Sequence, residues 1–112
     1  MNKYRNRKVV IDGIKFDSMR EGAVYVDFKR QLKMGLIKEL ELQVLFVLQE
    51  KFKDEYGACR AIAYKADFVV THTDGLKEII DVKGFETEAF KLKWKMLRKL
   101  QYGKGTKLTI MK

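Results

Sequence analysis

At 112 residues, 46% of them hydrophobic and none of them proline, the chain has the size and make-up of one globular domain spanning 1–112, which excludes linkers and low-complexity tails. Cys59 stands alone and excludes an internal disulfide. The longest apolar run, VLFVL, is too short for a membrane span, and with no hydrophobic leader at the N-terminus the expected compartment is the cytosol. The net charge of +9 is uneven: residues 83–112 hold nine Lys or Arg against two Glu, residues 1–8 add four more, and the middle is about two units negative. Such asymmetry points to a polyanion, most simply nucleic acid, against the plainer reading of a lysine-rich solubilising surface.

In chain order, KVVIDGIKF reads as two short strands around Asp12-Gly13, a dipeptide that favours the positive φ angles of a tight hairpin. A helix follows. SMRE is a capping box with Ser18 as N-cap and Glu21 at N3, and the helix runs to Met34 before Gly35 takes the left-handed position after its end. Residues 36–49, rich in Leu and Val with partial alternation, read as one bent strand or two, and 51–57 as polar loop. Strands are expected over 60–70 and 76–82, a helix over 86–102 and a closing strand over 107–111. The order, helix, three or more strands, helix, strand, defines an α/β fold with a mixed sheet.

The hairpin in ADFVVTHTDGLKEIIDVKG carries the first chemical signal. Thr73-Asp74-Gly75 suits a three-residue turn with glycine in the left-handed third place, so His72 faces Leu76, and Val70, Val69 and Phe68 face Glu78, Ile79 and Ile80. Asp67 then falls opposite Asp81. Cross-strand side chains have Cβ atoms about 5 Å apart, where like charges repel, so a cation is expected between them. Alternation puts Lys65, Lys83, Val69 and Ile79 on the aspartates' face and Ala66, Phe68, Ile80 and Val82 on the other. Two readings remain open here: a solvated Asp–Lys lattice, or carboxylates in a covered sheet that need a hard divalent cation such as Mg²⁺. Glu21 shares a helical stripe with Val24, Tyr25, Phe28 and Leu32; it serves the capping box, the site, or both.

An acid on the first helix, then Asp67, then DVK, resembles the PD-(D/E)XK nuclease superfamily. More closely, IKFDSMREGAVY, YKADF and DVKGFETEAFKLKWKML resemble small phage-encoded nucleases of that fold, related to Holliday-junction resolvases, over roughly 13–97. Ala66 stands where the eponymous proline would be, and Asp81 is the rarer of the two permitted acids. The resemblance implies a restriction-endonuclease-like core, a mixed sheet flanked by helices in α-β-β-β-α-β order, in a phage or host cytosol. It implies that Asp67 and Asp81 ligate Mg²⁺ or Mn²⁺ with the Val82 carbonyl, and that Glu21 binds metal or water on the other side. Lys83 would orient or activate the attacking water and offset charge on the phosphorane.

In the last helix Ala89, Phe90, Trp94, Met96, Leu97 and Leu100 form an apolar arc read as core, with Lys91, Lys95, Arg98 and Lys99 outside it, solvated or on phosphates. Lys93 falls inside the arc and either snorkels or reaches the cleft. These cations, with Arg5 and Arg7, are the candidate DNA contacts. Gln43 and Tyr64 read as structural and His72 as surface; no His or Cys has zinc spacing. The expected function is a metal-dependent DNA endonuclease, structure-selective on branched or duplex DNA in phage DNA processing or recombination. The alternatives are a non-catalytic nucleic-acid-binding module and a nuclease subunit targeted by a partner. Size and resemblance lead to a homodimer, with 44–48 as a candidate contact edge or as core under the first helix.

Overall fold

The computed structural model describes residues 7–112; Arg5 lies outside them. β1 (Val9–Ile11) and β2 (Ile14–Phe16) pair around Asp12 and Gly13, whose φ angles of +53° and +75° are the ones this dipeptide tolerates. α1 (Met19–Lys33) starts as its capping signal requires, the Ser18 side chain accepting the Glu21 N–H at 3.0 Å, and stops before Gly35 at φ +74°. The β1–β2 hairpin lies across the start of this helix, and a Cβ on Gly22 would stand 2.8 Å from a Val9 methyl and 2.9 Å from one of Ile11. Any larger residue there would force those two side chains to shift.

β3 (Ile37–Gln49) is one long strand. β4 (Phe52–Asp54) and β5 (Gly57–Cys59) form a small exposed hairpin where a polar loop is expected; the Asp54 carboxylate accepts the Tyr56 N–H at 2.9 Å and closes its turn. β6 (Ile62–His72), β7 (Lys77–Val82), α2 (Glu88–Gln101) and β8 (Lys107–Met111) follow. Strand order is β3-β6-β7-β8, antiparallel except for β7 and β8, which run parallel and are joined through α2. This is the expected mixed α/β arrangement: a four-stranded sheet with α1 and α2 packed on it. The β6–β7 register matches the expectation, with Val70 on Glu78, Val69 on Ile79 and Phe68 on Ile80, and Gly75 at φ +89° completing the turn. Half-buried His72 bonds Glu78 at 2.7 Å instead of standing free at the surface.

Besides the register shifts near the ends of β3, between Ile37 and Glu39 and between Val47 and Gln49, strict alternation fails in mid-strand. Leu40, Leu42, Phe68 and Val70 pack with Tyr25 and Phe28 of α1, while Val44, Phe46, Tyr64 and Ala66 pack with Phe90 and Leu97 of α2. In a regular strand Leu42 and Val44 would share a face, as would Ala66 and Phe68. Both strands turn over together, at Gln43 and at Asp67, which the pairing sets opposite each other: Leu42 pairs with Phe68 and Val44 with Ala66. Gln43 provides the twist with φ +51°, a left-handed conformation that costs an ordinary residue about 1–2 kcal/mol. Ala66 therefore lies opposite Phe68, not beside it, a correction to the expected face assignment. The turnover also splits the 44–48 run. Val44, Phe46 and Leu48 pack toward α2 rather than beneath α1, whereas Leu45 and Val47 are exposed on the edge strand.

Gln43→Val should lower unfolding free energy by about 1–2 kcal/mol in urea, because a β-branched side chain resists the left-handed conformation. Gln43→Gly, free of that restriction, should stay close to the parent. Equal stability of the Val variant and the parent would show that the turnover does not depend on this residue.

α2 begins two residues later than expected, at Glu88, where Thr87 caps it by accepting the Phe90 N–H at 3.1 Å. Its packed face is narrower than the apolar arc: Phe90, Trp94 and Leu97 carry it, while Ala89 and Leu100 are exposed.

Candidate active site

The turnover of the sheet, the first turn of α1 and the end of β7 converge on four side chains. Glu21 lies on the buried face of α1, Asp67 at the point where β6 turns over, and Asp81 near the end of β7, 1% exposed. Lys83 follows immediately, its backbone N–H donating to the Met111 carbonyl of β8 at 2.9 Å, so the parallel strand pins the lysine in place.

The β6–β7 ladder ends at Phe68–Ile80. One step further, where the register sets Asp67 against Asp81, the Val82 N–H donates to the Asp67 carboxylate at 2.8 Å. A side chain thus replaces the next rung of the sheet. Asp81 points the other way, toward α2: Tyr64 donates its hydroxyl to one carboxylate oxygen, and Lys83 Nζ stands 3.5 Å from the other. That second oxygen, Oδ1, is buried and accepts no hydrogen bond among the described residues. Lys83 Nζ also lies 4.8 Å from the centre of the Phe90 ring, a cation–π contact that ties it to α2. Lys65, expected to share the aspartates' face, is exposed and joins no ion pair among the described residues.

The electrostatics are those of crowded acids, Glu21 and Asp81 buried and Asp67 half-buried. Burial raises the Glu21 carboxyl to about 7, with further upward pushes from the negative charges of Asp67, Asp17 and Asp81. Burial also raises Asp67, against the opposing Val82 N–H and the Lys83 charge, and raises Asp81, against Lys83 alone. Such a cluster holds protons unusually tightly unless a cation arrives to take their place. The donor set is all oxygen and includes one buried acceptor that faces Lys83 but takes no hydrogen bond among the described residues, which fits a hard divalent ion. As placed, no three His, Cys, Asp or Glu side chains among the described residues close into a metal-holding group.

The cations expected to meet DNA are distributed unevenly. Lys95, Arg98 and Lys99 are exposed and line a concavity with Tyr102 at the C-terminal end of α2. A second hollow beside it is lined by Trp94, Arg98, Tyr102 and the glycines 103 and 105. None of Glu21, Asp67, Asp81 or Lys83 lines either one. Lys91 is exposed and 3.3 Å from Glu88, Lys93 is half-buried in the helix flank, and Arg7 is exposed. Reasoning from sequence missed two residues that shape the site, Tyr64 and Gln43. Neither carries a local pattern that sets it apart from an ordinary strand residue.

A small mixed α/β domain with buried and half-buried acids brought from a helix and two strands is the class these features define. The chain belongs to the family described as a protein of unknown function (DUF1064), whose model matches residues 1–112. No curated protein and no solved structure matches it. No helix among the described residues is long and apolar enough to cross a membrane.

Proposed function

We propose that the chain is a divalent-metal-dependent DNA endonuclease of PD-(D/E)XK type, selective for branched DNA and acting as a homodimer. The observation that carries this reading is the convergence of Glu21, Asp67 and Asp81 beside Lys83, with one buried Asp81 oxygen facing Lys83 and accepting no hydrogen bond among the described residues. A fold has no structural need for two buried acids and a half-buried third so close that both aspartates push on Glu21, and withdrawing them from water costs stability unless something cationic offsets it.

Asp67 and Asp81 would hold Mg²⁺ or Mn²⁺, with the Val82 backbone beside them. When bound, the ion lowers the pKa of its water and polarises the scissile phosphate. Glu21, on the buried face of α1 and close enough to Asp67 and Asp81 to feel their charge, would accept a proton from the attacking water or hold that water in line. Lys83, held by β8 and by the Phe90 ring, would offset charge on the phosphate oxygens. Water oxygen bonds to phosphorus as the bond to the leaving nucleotide oxygen breaks, and no covalent enzyme intermediate is required. The cations of α2 and the N-terminal cluster would bind flanking phosphates, and two-fold symmetry would supply the paired cuts a junction needs. The exposed Leu45 and Val47 on the edge strand support such a contact.

A cleavage assay on matched four-way-junction, flap, nicked and linear duplex substrates, in Mg²⁺ and in Mn²⁺, tests the reading. Paired cuts on the junction by a species of dimer mass in light scattering are expected. Single nicks by a monomer would remove the homodimer, and binding without cleavage of any substrate would leave a nucleic-acid-binding module. Affinity should fall with salt, each neutralised phosphate contributing about 0.9 to the slope of log affinity against log salt. Replacing Lys91, Lys95 and Lys99 together by Gln should flatten that slope without altering base preference. An unchanged slope places the DNA elsewhere.

A further inference from the structure

Resting on the nuclease reading above, we propose that Tyr64 is a positioning residue that keeps Asp81 one-armed toward a divalent cation and so sets the site's preference for Mg²⁺ over Ca²⁺. The Tyr64 hydroxyl occupies one oxygen of Asp81 and leaves Oδ1, which faces Lys83 Nζ at 3.5 Å and accepts no hydrogen bond among the described residues, as the oxygen of that carboxylate that would bind an ion. Mg²⁺ demands near-octahedral geometry with single-oxygen contacts at short range, whereas Ca²⁺ accepts more ligands and takes both oxygens of a carboxylate readily. Blocking one oxygen therefore disfavours the larger ion.

The tyrosine is built for this task from three sides. It is 6% exposed, and its ring is held between Phe90 and Trp94 of α2, with centroids 6.2 and 5.9 Å away. Phe90 is the same ring over which Lys83 Nζ sits, so one aromatic cluster fixes both the carboxylate's partner and the lysine. Tyr64 also reaches Asp81 only because β6 turns over at Asp67. An unbroken strand would have put Tyr64 on the α1 face with Phe68, away from α2 and from the hydroxyl's acceptor. The left-handed Gln43 across the sheet is thereby linked to the state of Asp81.

The test is direct ion binding, without DNA and without turnover. Mg²⁺ and Ca²⁺ are titrated separately into wild type and Tyr64→Phe, with heat of binding and the ion-induced rise in melting temperature as readouts. Losing a side chain that orients a metal ligand typically costs about 10–100-fold in metal affinity. Tyr64→Phe should lose that much for Mg²⁺ while Ca²⁺ binding holds or strengthens, so that the Mg²⁺/Ca²⁺ preference falls about tenfold or more. Equal changes for the two ions, or none, would overturn the proposal and leave Tyr64 a structural residue. Wild type that binds neither ion overturns the nuclease reading and the proposal with it. If Tyr64→Phe does not fold, Trp94→Leu supplies the same comparison: the hydroxyl remains, one ring that holds it is lost, and the preference should move in the same direction.

Discussion

Asp81→Asn and Asp67→Asn should each reduce DNA cleavage to background while the protein remains folded and still binds DNA. The amide keeps the size of the carboxyl and can accept the bonds that Tyr64 and the Val82 N–H donate, so packing and ladder geometry survive. What disappears is the charge that a cation requires. Because burial already disfavours ionised Asp81, the Asn variant should melt at or above the wild-type temperature in chelator. DNA affinity should hold or rise as negative charge leaves a phosphate-binding surface. A gel-shift titration beside a cleavage time course separates the two effects, and near wild-type cleavage by either variant in Mg²⁺ would remove that residue from the site.

Glu21→Gln should cost orders of magnitude in cleavage yet make the metal-free protein less sensitive to pH. The Glu21 carboxyl sits near 7 in the folded state against an ordinary value of 4.5, so between those values the folded chain holds a proton that the unfolded chain has released. Its stabilising contribution is thus full below about 4.5 and lost as pH rises through about 7. Asp67 and Asp81, also raised, act in the same direction. Glu78 acts in the opposite direction and at lower pH: burial raises it, but hydrogen bonds from Thr109 and His72 outweigh that and hold it below the usual carboxylate range. In chelator, wild-type melting temperature should therefore fall between pH 5 and pH 8 more steeply than that of Glu21→Gln. The capping bond survives the change, since it runs from the Glu21 backbone N–H to Ser18, and the stability loss at pH 5 should not exceed about 1 kcal/mol. Parallel pH curves for the two proteins would mean that Glu21 is not the buried acid described here.

The residues that announced themselves in the sequence were those whose chemistry is local. Asp12-Gly13, Ser18 with Glu21, Gly35 and Gly75 each specify a turn or a helix end from a few neighbours, and each occurs where those neighbours require. The β6–β7 register followed from one turn as far as Phe68 on Ile80; the shared face expected of Asp67 and Asp81 did not follow, since Asp67 takes the Val82 N–H while Asp81 turns toward α2. What was not legible depends on pairs of strands distant in sequence. Nothing around Gln43 marks a left-handed residue, since Asn or Gly would be the usual choice; it is tolerated because the paired strand turns over at the same level. Missing it reversed the face of Ala66 and hid the meeting of Tyr64 with Asp81. The β4–β5 hairpin escaped notice because its short strands are exposed throughout or nearly so and lack an apolar period. Lys65 looked equivalent to Lys83 by alternation, yet only Lys83 is held by a neighbouring strand and an aromatic ring.

The central claim, that these buried acids serve phosphodiester hydrolysis, is tested most directly by incubating supercoiled cruciform plasmid with wild type and Asp81→Asn purified side by side, across a Mg²⁺ titration and in EDTA. Cleavage by wild type that rises with Mg²⁺, vanishes in EDTA and is absent from the variant at every concentration is the predicted result. Cleavage that persists in EDTA, or that the variant matches, would contradict it.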